Sequence, residues 1–300
     1  MSGQSEIVYI PSQFEGVAMT QLARDVARKA SAPNVWPEHI IFDFQRVRFI
    51  RPVGVVVLHN IIRWLQAKNC AVAFRGHTGG SAPLRYLHDS LFFKMHLDGI
   101  VVAEDSCRAT TRPLIEVRHN NSHSWIRLTL IPWVAAQAKV NIASLYGLQS
   151  SMTEIFNNIL DHSRYDIGSV FGQHFPSEHL ITIAVSDMGL GIPVNVRTVK
   201  PELSDCDAII EAVKEGFTTR SIETNAGMGL DQLMRSVVMT LQGRVTIYSG
   251  KGIVSFTPLR GEVDSRPFGN VGFCPGTTIE IGIDTRTIPY LSEEEEDLQW

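Results

Sequence analysis

The sequence has no closely spaced cysteines, no long apolar run and no cluster of basic residues. Its four cysteines form no C-x-x-C pair, which argues against a zinc site or a disulfide framework. The longest apolar run, residues 53–58, is far shorter than the ~18 residues that span a bilayer, and residues 1–20 lack a signal pattern. The net charge of −4 predicts no attraction to nucleic acid or anionic membranes. We therefore expect a cytoplasmic protein with neither partner.

The length and composition indicate folded domains. A chain of 300 residues is about twice the usual domain size, so two domains are expected. With 44% apolar and 19% charged residues, the chain can form ordinary buried cores.

The first third of the chain alternates between strand and helix patterns. Short apolar runs and helical spacing predict strands at 6–11, 39–44, 70–74 and 99–103 and helices at 13–30, 53–69 and 82–96. This alternation predicts an α/β layer domain.

A domain boundary is expected in the polar stretch that follows, residues 104–123, which contains Pro113. We assign a first domain to residues 1–110, a linker to 111–124, a second domain to 125–285 and an acidic tail to 286–300. The second domain is expected to begin with a strand, because residues 125–133 alternate between apolar and other side chains.

The first of three polar clusters lies on a helix predicted over residues 138–162. Glu154 and Asn158 are four residues apart and so share one face of it. An amide oxygen suits a magnesium ion that carries nucleotide phosphates, and a carboxylate one turn away can orient or deprotonate a nucleophile. Alone, the pair is a weak signal and is more typical of a solvated helix face.

The second cluster ends an apolar strand with Asp187, Gly189 and Gly191. A carboxylate at a strand end can accept a hydrogen bond from the exocyclic amine of adenine, and glycines let the backbone approach a flat base. The alternative is a simple Asp-Gly turn.

The third cluster is Gly227-Met228-Gly229 at the start of a predicted helix, preceded by a polar loop. Free backbone N–H groups at a helix start favour phosphate, and the loop can serve as a lid. A lone G-x-G is a weak signal. The chain contains no G-x-x-x-x-G-K-[ST], so a Walker-type site is excluded.

Together, the three clusters resemble the nucleotide pocket of the GHKL ATPases and kinases. Glu154-x-x-x-Asn158 matches the N box, Asp187-x-Gly189-x-Gly191 matches the D-x-G-x-G box, and GFTTRSIETNAGMGL is similar to the lid of anti-sigma factor serine kinases. The resemblance implies a Bergerat α/β sandwich with a mixed sheet.

The same resemblance implies ATP and Mg²⁺ as ligands. It makes Glu154 the catalytic base and Asn158 the metal ligand, and it assigns Asp187 and Thr277 to adenine. The remaining implied nucleotide-binding residues are Gly189, Gly191, Thr218, Thr219, Gly227, Met228 and Gly229.

The N-terminal domain resembles a STAS domain, the fold of anti-sigma factor antagonists. The similarity lies in HIIFDFQRVRFIRPVGVVVLHNII, a strand, a loop and a helix. Arg51, Pro52 and Val53 stand where that family has Asp-Ser-Ser before Gly54, so the phosphorylatable serine is absent. An ordinary α/β strand-helix unit is the alternative.

Two functions remain open at this point. One is a serine/threonine kinase of anti-sigma type, acting in trans on a STAS-domain or sigma-factor-like protein partner. The other is an ATP-gated switch or slow ATPase that regulates a protein partner; a homodimer fits either. A histidine kinase is disfavoured, because no long helical hairpin with an acceptor histidine precedes the second domain.

Overall fold

A computed structural model describes residues 5–30, 37–97, 107–116, 122–162, 168–217, 228–269 and 272–290. Its helices are α1 Gly16–Ala30, α2 Pro52–Ala67, α3 Ala82–Asp89, α4 Phe92–His96, α5 Ser122–Trp125, α6 Ile131–Ala138, α7 Tyr146–His162, α8 Ile192–Val196, α9 Asp205–Ala212 and α10 Met228–Leu233. Its strands are β1 Ser5–Tyr9, β2 Gln13–Phe14, β3 His39–Asp43, β4 Phe49–Ile50, β5 Ala71–Arg75, β6 Thr111–Glu116, β7 Gly168–Phe175, β8 Leu180–Asp187, β9 Arg244–Gly250, β10 Gly252–Leu259, β11 Glu262–Pro267 and β12 Cys274–Asp284.

The described strands form one large and two small sheets, so the protein is of the α/β class. A parallel three-stranded sheet has the order β1-β3-β5, and β2 pairs with β4. The large sheet has seven strands in the order β11-β10-β9-β12-β8-β7-β6. The expected strand at residues 99–103 lies outside the described residues.

The prediction of a mixed sheet is wrong for the described strands, because each pairing in the seven-stranded sheet is antiparallel. Short connections such as Pro176–Glu178 between β7 and β8, and Lys251 between β9 and β10, allow only antiparallel neighbours.

The two faces of the large sheet are buried by different parts of the chain. One face packs under α6, α7, α9 and α10 in a core that contains Ile183, Ile247 and Ile281. The opposite face, which we call the outer face, joins the core of the N-terminal elements through residues such as Phe171 and Ala184.

Helix α2 connects the N-terminal elements to the outer face. It contacts β5 of the small sheet and also β7, β8 and β12 of the large one. Its residues from Pro52 to Ile62 are all buried, which explains why this helix is apolar on every side. Within the contact, the Ser169 hydroxyl donates to Asn60 Oδ1 at 2.8 Å.

The segment 125–133, expected as a strand, is helical. It comprises the end of α5, a π-helical segment Ile126–Leu130 and the start of α6. Ile126, Leu130 and Val134 recur at helical spacing and are buried, whereas Leu128 is 66% exposed. A strand would have put Leu128 on the same face as Ile126 and Leu130, whereas the helix exposes it.

The expected linker 111–124 contains an element of the large sheet. Strand β6 pairs with β7 at the sheet edge, and the register shifts between Arg112 and Ile115 around Pro113. Proline is tolerated in edge strands and at bulges because no ladder hydrogen bond needs its missing N–H. Beyond β12, in the range expected as a tail, Ile288 is buried in the core.

Candidate functional site

Glu154 and Asn158 lie one turn apart on α7. Their neighbours Ile155, Phe156 and Ile159 are buried in the core, which fixes the orientation of the helix. Asn158 is exposed and Glu154 is half-buried, so the pair lies on the face that the core leaves accessible. The Glu154 carboxylate and the Asn158 amide can therefore contact the same ligand.

Helix α10 brings Gly229 directly against this pair. A Cβ atom at Gly229 would lie 3.1 Å from Asn158 Nδ2 and 3.3 Å from Glu154 Cβ. Such distances are tighter than ordinary van der Waals contact, so a residue without a side chain suits this position. The first and third sequence clusters therefore meet in the structure.

Polar contacts that the sequence did not reveal hold the two helices in this arrangement. Gln232 Nε2 of α10 donates to Ser150 Oγ at 2.8 Å. Ser236, in the π-helical segment Met234–Thr240 that follows α10, has its hydroxyl 2.7 Å from that of Ser151. Because serine is common on helix surfaces, its presence in α7 gave no signal that a second helix would pack there.

Asp187 ends β8 in a recess of the backbone. Its Oδ1 accepts a hydrogen bond from the Gly189 N–H at 2.6 Å. Burial raises the pKa of the Asp187 carboxyl to about 6, even though hydrogen bonds from the backbone of Gly189 and Thr277 act to lower it. An acceptor held in these surroundings favours a neutral hydrogen-bond donor, such as an amine on an aromatic base.

Two glycines form the wall of this recess. Gly276 has φ +71°, and a Cβ there would lie 2.3 Å from the Asp187 carbonyl oxygen and 2.6 Å from Oδ1. Gly191 has φ +84°, and its Cβ would lie 2.9 Å from the Gly276 carbonyl oxygen. Both positions thus require glycine for conformation and for space.

Ser249 joins the parts of the recess, and sequence reasoning missed it. Its hydroxyl donates to the Gly276 carbonyl at 2.7 Å, accepts from the Ile192 N–H at 2.9 Å and lies 3.2 Å from Thr277 Oγ1. Ser249 is the penultimate residue of β9 and pairs with Thr277 of β12. No sequence signal could have found it, because its role depends on the pairing of β9 with β12.

The structure therefore groups the candidate residues in two places. Glu154, Asn158 and Gly229 meet between α7 and α10, and Asp187, Gly189, Gly191 and Thr277 meet at the ends of β8 and β12. Met228 begins α10. Thr218, Thr219 and Gly227 lie outside the described residues.

The oxygen atoms of Asn158 and Asp187 are of the type that the expected ligands, Mg²⁺ and ATP, would need. No group of three or more His, Cys, Asp and Glu residues able to hold a metal occurs in the described parts of the chain. A magnesium ion that arrives with a nucleotide needs only one or two protein oxygens, because phosphates and water complete its octahedron. Asn158 can supply one such oxygen, and the recess at Asp187 offers an acceptor for adenine.

Comparison with known proteins adds no family assignment: no family model matches the chain, and no curated protein matches its sequence. In the described ranges, no helix is long and apolar enough to cross a membrane.

Proposed function

We propose that the protein binds ATP with magnesium in the site formed by α7, α10 and the ends of β8 and β12. The observation that carries this proposal is the approach of Gly229 to Asn158 and Glu154. That contact joins two clusters that are separated in sequence, which supports a shared site for a nucleotide's phosphates. The recess at Asp187 supports it, because its buried acceptor suits the amine of adenine.

The reaction we propose is phosphoryl transfer to a serine or threonine of a STAS-domain or sigma-factor-like protein, which makes the protein an anti-sigma-type kinase. The substrate hydroxyl forms a bond to the γ-phosphorus, the bond to the β-phosphate breaks, and ADP leaves. Glu154 is the base that takes the hydroxyl proton, and Asn158 would hold a magnesium ion. A bound magnesium ion would neutralise charge on the phosphates.

Transfer in trans is favoured by the position of the N-terminal elements. Arg51, which stands where the STAS-like loop has its aspartate, contacts Glu15 and Glu178 at 3.5 and 3.6 Å. Arg51 and Glu15 border the outer face of the large sheet, whereas the proposed site belongs to the elements of the opposite face. This position favours an acceptor on another protein over the chain's own loop.

A labelling experiment tests the kinase. The full chain is incubated with γ-labelled ATP, magnesium and STAS-domain proteins, beside Glu154→Ala and the control Glu202→Ala, which changes an exposed glutamate. Label on a partner serine or threonine, lost in Glu154→Ala and kept in Glu202→Ala, supports the kinase. Phosphate release without labelled protein contradicts it.

A second candidate, an ATP-gated switch or slow ATPase, is favoured by one observation. Helix α2 packs on β8 and β12, the strands that end at Asp187 and begin near Thr277. Nucleotide-dependent movement of these strand ends would reach α2 directly. Hydrogen exchange of α2 that slows with ATP and magnesium, without phosphotransfer, would support the switch, whereas unchanged exchange would count against it.

A further inference from the structure

A cavity lies on the outer face of the large sheet. Its volume is about 690 Å³, and it is bounded by β8, β9, β10 and β12 on one side and by residues at the starts of α1 and α2 on the other. This is within the size range of small-molecule sites, roughly 300 to 1,000 Å³. The candidate nucleotide site uses none of its residues.

The floor of this cavity is polar, unlike the neighbouring part of the same sheet face. Thr182, Thr246 and Ser255 line it and are buried, and Thr246 donates to Ser255 at 3.2 Å. Beneath α2, by contrast, the outer face presents Phe171 and Ala184 to the apolar core. The change from apolar to hydroxyl-bearing residues coincides with the cavity, so the floor suits a polar occupant.

Glu280 is a carboxyl in this floor with no cation in contact. Its Oε2 accepts a hydrogen bond from the Tyr248 hydroxyl at 3.3 Å, and no salt bridge in the described part of the chain reaches it. Burial raises the pKa of Glu280 to about 7. Glu280 is half-buried, and the ionised form of such a carboxyl is stabilised when a cation is placed against it.

The other acidic groups of the cavity already have partners. Asp284 is paired with Arg286, which holds the pKa of Asp284 at about 2. Glu15 lies 3.5 Å from Arg51.

The two cationic side chains at the cavity do not neutralise Glu280 by contact. Arg51 is shared between Glu15 and Glu178, and its guanidinium lies 5.2 Å from the ring centre of Phe175. Arg244 is exposed and makes no ion pair within the described ranges. Both arginines lower the pKa of Glu280 only from a distance, and Glu15 raises it.

We propose that this cavity binds a small organic cation, an amine or a guanidinium compound, with its charged group against Glu280 and its remaining hydrogen-bonding groups on the hydroxyls of Thr182, Thr246 and Ser255. An anionic ligand would have to approach the Glu280 carboxylate, and a purely apolar one would leave the hydroxyls without partners. This proposal does not rest on ATP binding at the other site.

The proposal predicts that binding of the cation depends on pH, because it is linked to the ionisation of Glu280. The cation stabilises the ionised form of Glu280, so binding at pH 7 releases a proton and tightens as the pH rises from 6 to 8. The groups that face Glu280 are Tyr248 and Arg244 on β9, with Glu15 and Arg51 from the N-terminal elements. The pKa of Tyr248 is raised well above its ordinary value by burial, so this tyrosine stays neutral over that range.

Gly282 offers a way to fill the cavity without disturbing the fold. It lines the cavity, and a Cβ added there would meet Leu180 Cδ1 at 3.6 Å and the Arg244 carbonyl oxygen at 3.9 Å, which are ordinary contacts. Valine is favoured in strands, so Gly282→Val should fold and occupy the space.

Isothermal titration calorimetry with 1,4-diaminobutane and spermidine tests the proposal, in buffers of different ionisation enthalpy and without nucleotide. The matched neutral and anionic probes are 1,4-butanediol and succinate. We expect both amines to bind with proton release and the controls not to bind. Glu280→Gln and Gly282→Val should each weaken amine binding at least about 10-fold, which corresponds to about 1.4 kcal/mol.

The control Glu262→Gln changes an exposed carboxylate on β11 and should bind as the wild type does. Thermal unfolding of each variant shows whether it has folded. Failure of the wild type to bind either amine, or equal binding by Glu280→Gln and the wild type, would overturn the proposal. Neither result would bear on ATP binding.

Discussion

At the residue scale, Asp187 has surroundings that disfavour its charge. Burial raises its pKa from 3.8 to about 6. Between these two pH values the folded state binds more protons than the unfolded state, so the free energy of unfolding falls as the pH rises. Ionisation of Asp187 lowers the free energy of unfolding by its full amount above about pH 6 and has no effect on it below about pH 4.

Asp187→Asn should therefore stabilise the nucleotide-free protein. The amide keeps an acceptor for the Gly189 N–H and carries no charge to bury. We expect a gain of about 1 to 3 kcal/mol in the free energy of unfolding at pH 8, shrinking to nothing near pH 4. Urea unfolding at both pH values measures it. A loss of stability at pH 8 would mean that the carboxylate is needed for folding.

Gly276 provides a second residue-scale prediction, with Gly261 as its control. Both have positive φ, so alanine costs about 1 to 2 kcal/mol at either position through backbone strain. Only at Gly276 does the new Cβ also overlap the Asp187 backbone, whereas nothing lies within 4 Å at Gly261. Gly276→Ala should therefore cost about 1 to 3 kcal/mol more in urea unfolding. Equal costs would contradict the close approach of the two strand ends.

At the element scale, the patterns that predicted elements well were those with one buried face. The apolar strands β3 and β8 lie close to their expected positions, and α7 keeps the expected face although it begins at Tyr146, after a short 3₁₀ segment. The strand predicted for residues 125–133 is wrong because the apolar residues there fit both a two-residue and a helical repeat. Only packing decides that Leu128 faces outward.

Other features could not be predicted because they depend on partners distant in sequence. The approach of Gly229 to Asn158 depends on how α7 and α10 pack. The role of Ser249 exists only because β9 pairs with β12 at Thr277. Strand β6 was missed because Pro113 indicates a loop unless a sheet edge is available.

The orientation of α7 gives a prediction with a matched control on the same helix. Asn158→Ala removes the proposed metal ligand, whereas Asn157→Ala changes the adjacent residue, about 100° away around the helix. We expect Asn158→Ala to reduce magnesium-dependent ATP affinity at least about 10-fold and Asn157→Ala to have little effect. Titration of ATP with and without magnesium measures this. Equal effects of the two variants would contradict the assignment of the metal ligand.

At the scale of the whole molecule, the N-terminal elements and the large sheet share a buried contact along α2. Asn60 and Ser169 form a hydrogen bond across it and are both fully buried. Helix α2 therefore covers part of the outer face. A movement of β8 or β12 would be transmitted through α2 to the N-terminal elements.

A double-mutant cycle tests this contact. Ser169→Ala leaves the Asn60 side chain buried without its partner and should cost about 1 to 3 kcal/mol in the free energy of unfolding. The double variant with Asn60→Leu should recover most of that loss, because both polar groups are then gone. Strictly additive effects of the two substitutions would contradict the contact between α2 and β7.

The most direct test of the central claim is the nucleotide preference of the full chain, measured by calorimetry with ATP and GTP in the presence of magnesium. Adenine carries an amine where guanine carries a carbonyl oxygen, so the Asp187 carboxylate should accept from ATP and repel GTP. We predict that the wild type prefers ATP at least about 10-fold and that Asp187→Asn, whose amide can also donate, loses this preference. No ATP binding by the wild type, or an unchanged preference in Asp187→Asn, would contradict the account.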